Sequence, residues 1–183
     1  MIEATTLKDV YVIEPKRFGD ARGFFSESWN KKTLSQAGLD LPEFVQDNHS
    51  LSSQPNTIRA LHFQSPPHAQ GKLVRCGRGR VFDVAVDFRK NSPTYLQWFG
   101  IELSFENGRQ LWLPAGFLHG FQTLEPDTEI IYKCTAHYAP ECDNAIAWDS
   151  AGVDWKDLPG DPILSDKDQV APPLSEVESP FTD

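Results

Sequence analysis

Three observations in this chain predict an all-β fold of the jelly-roll kind. Residues 73–88 alternate with period two, Phe82, Val84, Val86 and Phe88 on one side and Val81, Asp83, Ala85 and Asp87 on the other. Several more short strand-like runs are separated by Gly- and Pro-containing turns. Helical character is confined to one short segment, residues 31–37, with Gly38 placed where a helix stops. Many short strands with tight turns fit a sandwich or barrel, and the jelly roll is the arrangement that commonly builds a pocket inside such a domain.

Along the chain, strands are expected at 6–13, 97–104, 110–113, 119–124 and 129–136. Turns fall at Glu106-Asn-Gly108, Pro114-Ala-Gly116 and Pro126-Asp127. From Asp157 onward the sequence is rich in Pro, Asp and Ser, so an irregular tail is expected to lie over the barrel with a few fixed contacts. A length of 183 residues suits one domain spanning 1–183, with a substantial core.

Charge narrows the range of partners. The formal net charge is -9 and no basic run overrides it, which disfavours nucleic acid and anionic membrane surfaces. A small anion remains possible where basic side chains gather locally, with Arg22, Arg59, Lys72 and Lys167 as candidates. The first residues have no basic region leading into an apolar core, so they do not read as a secretory signal, and no apolar run approaches membrane-spanning length. Three cysteines, Cys76, Cys134 and Cys142, without metal-type spacing fit a reducing cytoplasm better than a disulfide framework.

Candidate chemistry starts at Arg59-Ala-Leu-His62-Phe-Gln64. On a strand, His62 points away from Leu61 and Phe63, into a pocket or into solvent. A histidine titrates near neutrality, as a general base should, and a carboxylate partner would fix its tautomer; Asp168 is the candidate. Lys72, in Gln70-Gly-Lys-Leu-Val74, is either a solvated strand-edge lysine or a cation that stabilises a developing oxyanion. Tyr132, in Ile130-Ile-Tyr-Lys133, is either a core phenol or an acid that keeps its proton at neutral pH. A base on one face, an acid on the other and a cation on the oxygen would serve proton exchange beside a ketone, with inversion of the carbon.

A metal-binding alternative needs two histidines two residues apart. Here His62-Phe63-Gln64 supplies one imidazole, and His119 lies far along the chain. No metal ligands are assigned.

Taken together and in order, several segments resemble the dTDP-4-dehydrorhamnose 3,5-epimerase family of cupin-type sugar-nucleotide epimerases. They are Asp20-Ala-Arg-Gly-Phe-Phe-Ser-Glu27, Phe44-Val-Gln-Asp-Asn48, Arg59 to Gln64, Gln70 to Val74, Asp83-Val-Ala-Val-Asp-Phe-Arg89 and Ser92-Pro-Thr-Tyr95. The series continues with Leu113-Pro-Ala-Gly-Phe-Leu-His-Gly-Phe121, Tyr132-Lys133, Tyr138-Ala-Pro-Glu141 and Leu164-Ser-Asp-Lys-Asp168. The likeness runs from about residue 4 to 174. It implies a homodimer sharing N-terminal strands, no metal or organic cofactor, and a dTDP-4-dehydro-6-deoxy-D-glucose substrate inverted at C3 and C5. It also implies His62 as base paired with Asp168, Tyr132 as acid, and Lys72 near the C4 oxygen. Substrate contacts fall on Arg22, Phe25, Glu27, Gln46, Asp47, Asn48, Arg59, His119, Asp143 and Lys167, with Tyr138 as the thymine-stacking aromatic. Ala60 and Asp143 depart from the family's usual glycine and glutamate. Rival readings are a single-carbon epimerase of another dTDP-4-ketosugar, a metal-dependent cupin oxygenase and a non-catalytic sugar-nucleotide binding module.

Overall fold

Period-two alternation builds two facing antiparallel sheets in the computed structural model, which describes residues 1–182. In chain order the strands are β1 (Ile2–Ala4), β2 (Tyr11–Ile13), β3 (Arg17–Asp20), β4 (Gly23–Ser26), β5 (Gln46–Ser52), β6 (Ile58–Gln64) and β7 (Lys72–Arg78). They continue with β8 (Arg80–Asp87), β9 (Trp98–Ser104), β10 (Gln110–Leu113), β11 (Phe117–Thr123), β12 (Thr128–Cys134) and β13 (Asp143–Ala145). One sheet runs β1-β2-β10-β7-β12-β5, the other β13-β6-β11-β8-β9, and β3-β4 form a separate hairpin. The result is the expected jelly roll. No helix among the described residues is long and apolar enough to cross a membrane.

The alternating run 73–88 is two strands, not one. Gly79, at φ +72, turns the chain from the six-stranded sheet into the five-stranded one, and a Cβ there would lie 2.4 Å from Thr128 Oγ1. The glycine-only conformation and the close approach both demand this residue. At the other end, 6–13 is only partly strand. Asp9 has φ 70, and the Thr5 N–H donates to the Val10 carbonyl, so the segment reverses before β2. The helix α1 (Lys31–Gln36) matches its expected position, with the Asn30 side chain accepting from the Lys32 and Thr33 N–H groups.

Three apolar clusters follow from the alternation. Between the sheets lie Val74, Cys76, Leu111 and Ile130 from one face and Val81, Ala85, Leu103, Phe117 and Phe121 from the other. On the outer face of the five-stranded sheet, Phe82, Val84, Val86 and Phe88 pack under the C-terminal segment, including Trp155, Leu164, Leu174 and Phe181. Outside the six-stranded sheet, Leu73 and Trp112 are covered by Leu39, Leu41 and partly buried Trp29 and Leu34. The tail is irregular, as expected, except for α2 (Asp166–Gln169) and a short 3-10 turn at Leu174–Glu176. Parallel bridges from Thr57 to Ile163 and from Arg89 to Phe181 fasten it to the barrel.

Ala60 is accommodated by its neighbour. A Cβ built on Gly120 of β11 would stand 2.4 Å from the Ala60 Cβ and 3.0 Å from the Arg59 carbonyl oxygen. Gly120→Ala is expected to destabilise the fold by about 1–3 kcal/mol through overpacking against backbone, read as a lower urea midpoint at unchanged m-value.

Candidate active site

Strand register places the polar residues at one end of the space between the sheets. In the six-stranded sheet Gln46 stands opposite Cys134 and Cys134 opposite Lys72, while Asn48 stands opposite Tyr132 and Tyr132 opposite Val74. Paired and next-but-one residues share a face. Val74 faces the core, so Gln46, Asn48, Lys72, Tyr132 and Cys134 face inward with it. In the five-stranded sheet Asp143 stands opposite Gln64, and Ala145 and His119 both stand opposite His62. His62 and Tyr132 therefore project from opposing sheets. They line one cavity of about 190 Å³ with Lys72, Gln46, Asn48, Gln64, Tyr138, Asp143 and Lys167.

His62 is held from behind. Its Nε2 lies 2.5 Å from Asp168 Oδ1, with the histidine side chain 30% exposed and the aspartate 1%. Burial by itself would raise the Asp168 pKa, but the His62 and Ser165 hydrogen bonds outweigh it and bring the value below the usual carboxylate range. An ionised carboxylate only accepts, so Nε2 carries the proton and Nδ1 keeps a free lone pair. That is a base with its tautomer set.

Lys72 is electrostatically exposed to whatever enters. Its ammonium makes no hydrogen bond or ion pair among the described residues and lies 5.9 Å from the Tyr132 ring centroid. Burial pushes its pKa down, and the Lys167 charge adds to this, while the carboxylates of Asp143 and Asp83 act the other way. Burial also raises the Tyr132 pKa, which keeps the phenol protonated at neutral pH, although the Arg59 charge and the Asn48 amide act the other way.

At the rim, Asp143 Oδ2 accepts from Lys167 Nζ at 2.6 Å and from the Tyr138 hydroxyl at 3.2 Å. The Asp143 charge, more than the hydrogen bond, raises the Tyr138 pKa. Gln46 accepts from the Tyr138 N–H at 2.8 Å, fixing the backbone of that exposed aromatic. Gln64, where a second metal-type histidine would sit, donates to the His68 and His137 carbonyls and accepts from the Ala139 N–H. Among the described residues no group of three His, Cys, Asp or Glu side chains could hold a metal.

Six of the residues assigned to substrate from sequence lie outside this cavity in the single chain. Arg22, its side chain 89% exposed, pairs with Asp20 at 2.6 Å in the turn between β3 and β4, and Phe25 is 70% exposed on β4. Glu27 accepts from Asn30 and Thr33 at the start of α1. Asp47 faces outward and pairs with Lys133 at 2.8 Å. Arg59 donates to Ser52 Oγ and the Leu51 carbonyl. His119 is buried, its Nε2 3.1 Å from both oxygens of Asp83. Sequence reasoning passed over Ser165, which bonds Asp168, and Asp83, the buried partner of His119. Asp83 was open to detection, since a charged residue between Val81 and Ala85 on an inward face must find a partner.

Comparison with known proteins now bears on this geometry. Residues 4–176 match the family model described as dTDP-4-dehydrorhamnose 3,5-epimerase. The chain belongs to this family. The 3,5-epimerase of Salmonella typhimurium is 51% identical over 94% of this chain and 94% of its own. The crystal structure of the 3,5-epimerase from Legionella pneumophila in complex with dTDP-4-keto-L-rhamnose superposes with a TM-score of 0.91 at 44% identity, covering 97% of this chain and 94% of that one. A 3'-monoepimerase from Streptomyces bikiniensis, in complex with dTDP-quinovose, gives 0.85 at 31% identity over 93% and 86%. The family fold is thus common to enzymes that invert one carbon and two, and identity is higher to the 3,5-epimerases.

An unpaired ammonium in a confined site costs stability. Lys72→Met is expected to raise Tm by roughly 2–4 °C, equivalent to about 1 kcal/mol, while activity collapses. Differential scanning calorimetry beside an epimerase assay checks both; a lower Tm would contradict the electrostatic account.

Proposed function

We propose that the protein inverts C3 and C5 of dTDP-4-dehydro-6-deoxy-D-glucose to give dTDP-4-dehydro-L-rhamnose, the epimerase step of dTDP-L-rhamnose biosynthesis. The observation that carries this reading is that His62 and Tyr132, on facing sheets, line one cavity with the unpaired ammonium of Lys72. His62 Nδ1 takes the proton from a carbon next to the C4 ketone. The electron pair moves onto the C4 oxygen, where Lys72 stabilises the enolate. As the ketone reforms, the Tyr132 hydroxyl delivers its proton to the opposite face of the same carbon. His62 then holds one proton more and Tyr132 one fewer, and exchange with water resets both. Since C3 and C5 both flank C4, a modest rotation of the sugar lets the same groups serve each carbon. None of these steps calls on a metal or an organic cofactor.

Nucleotide recognition falls to the rim. Tyr138 presents an exposed ring on which thymine can stack, and Lys167, now paired with Asp143, is within reach of a pyrophosphate. Arg22, Phe25 and Glu27 are not among the residues lining their own chain's cavity and sit on an exposed hairpin and its continuation. In a homodimer that shares N-terminal strands, they serve the partner's pocket. Arg59 and His119, on the inner face of the five-stranded sheet, stand beyond the cavity lining, and Asp47 faces away from it, so none of the three is proposed as a direct contact in the single chain.

NMR of dTDP-4-dehydro-6-deoxy-D-glucose with metal-stripped protein in deuterated water tests the reading. Deuterium at C3 and C5 with inversion at both supports it; inversion at one carbon only supports the single-carbon alternative that the Streptomyces likeness keeps in view. His62→Ala is expected to lower exchange at both carbons by at least 10²-fold with dTDP affinity retained, and Tyr132→Phe to reduce net inversion more than exchange. The shared pocket has its own assay. Mixing Arg22→Ala with His62→Ala protein should create dimers with one intact site, so activity reappears; persistent inactivity would place the hairpin at its own chain's cavity.

A further inference from the structure

Resting on that functional reading, we propose that Ser165 is the positioning residue of the His62–Asp168 pair, acting through the second carboxylate oxygen. The Ser165 hydroxyl does two things. Its oxygen accepts from the Asp168 N–H at 3.2 Å, capping α2, and its proton goes to Asp168 Oδ2 at 2.9 Å. A hydroxyl has one proton and two lone pairs, so both bonds form together.

The consequence reaches the reacting carbon. A carboxylate with one oxygen unclaimed is free to rotate, and either oxygen could meet the imidazole. With Oδ2 bound to Ser165, only Oδ1 faces His62 Nε2, at 2.5 Å. The carboxylate is fixed in plane, the Nε2–H tautomer is selected, and Nδ1 is left as the base. Asp168 is nearly inaccessible to water, so no solvent molecule supplies the missing donor if the hydroxyl is removed. The bridge also explains why a four-residue helix carries a catalytic carboxylate. Cap and carboxylate belong to the same turn, so capping the helix and orienting Asp168 are one event.

Three substitutions separate this from mere capping. Ser165→Thr keeps the acceptor and the donor, Ser165→Asp keeps the capping acceptor without the donor, and Ser165→Ala keeps neither. Thr is expected to retain near-normal kcat, while Asp and Ala lower kcat roughly tenfold with KM little changed, a modest part of the 10²–10⁴ that a positioned base contributes. Nitrogen-15 NMR of the His62 ring, which needs no substrate, should show the Nε2–H tautomer in the unmodified protein and in Thr, and a tautomer mixture in Asp and Ala. An Asp variant matching Thr in both readouts would reduce Ser165 to a helix cap and overturn the proposal, as would normal kcat in Ala. Absence of solvent exchange in the unmodified protein would sink the epimerase reading instead, leaving the tautomer result to judge Ser165.

Discussion

Two sheets face each other across a narrow space, and every inward side chain must either pack or be used. That constraint governs the molecule. On β7 and β12 the inward row begins with Lys72, Tyr132 and Cys134 and passes to Val74, Cys76 and Ile130 within two residues. The apolar half supplies the burial that holds the sheets together, on the order of 2 kcal/mol for each large side chain withdrawn from water. The polar half gains its chemistry from the same enclosure, because charge–charge interactions strengthen as water is excluded. One end of the barrel stabilises what the other end spends on an unpaired cation.

Legibility in the sequence followed the same division. β8, with its alternation, and β10, a short apolar run, could be read directly, and His62 could be placed on a strand because Leu61 and Phe63 flank it. The split of 73–88 at Gly79 shows as a change of phase: inward residues are even-numbered on β7, at Val74 and Cys76, and odd-numbered on β8, at Val81 and Ala85, with Gly79 at positive φ between them. β5, Gln46-Asp-Asn-His-Ser-Leu-Ser52, escaped notice because its inward face is polar, which is what a cavity-lining strand requires and what a hydrophobic pattern cannot register. Asp168 was assignable to His62 only by resemblance. One hundred and six residues separate them, and no local pattern reports a contact of that range.

Positive side chains gather at the cavity although the overall charge is -9. Lys72 inside the cavity and Lys167 at its rim gather positive charge, with Arg59 close enough to influence Tyr132. Asp143 offsets part of it, holding Lys167 by a short ion pair. On the proposed reading, an incoming pyrophosphate would compete with that carboxylate for the ammonium, so entry would exchange one anion partner for another and avoid stripping a solvated charge. A shorter aspartate at this position still reaches both Lys167 and Tyr138, so the loss of one methylene relative to glutamate leaves the rim network closed in the free protein.

The C-terminal tail turns folding and catalysis into a single requirement. Asp168 arrives on α2, whose position depends on Ile163 pairing with Thr57 ahead of it and on Leu174, Val177 and Phe181 packing behind it against Phe82, Phe88 and their neighbours. Phe181 closes on Phe63 and Phe88, with ring centroids 5.8 and 6.5 Å away, and Phe63 directly follows His62. The outer face of β6 thus carries the residue that receives the tail, and its inner face carries His62, which the tail's Asp168 orients. A strand has two sides one residue apart, so docking the tail on one side and completing the His62–Asp168 pair on the other are geometrically the same act. Without the tail, that core face lies open and His62 loses the carboxylate that sets its tautomer.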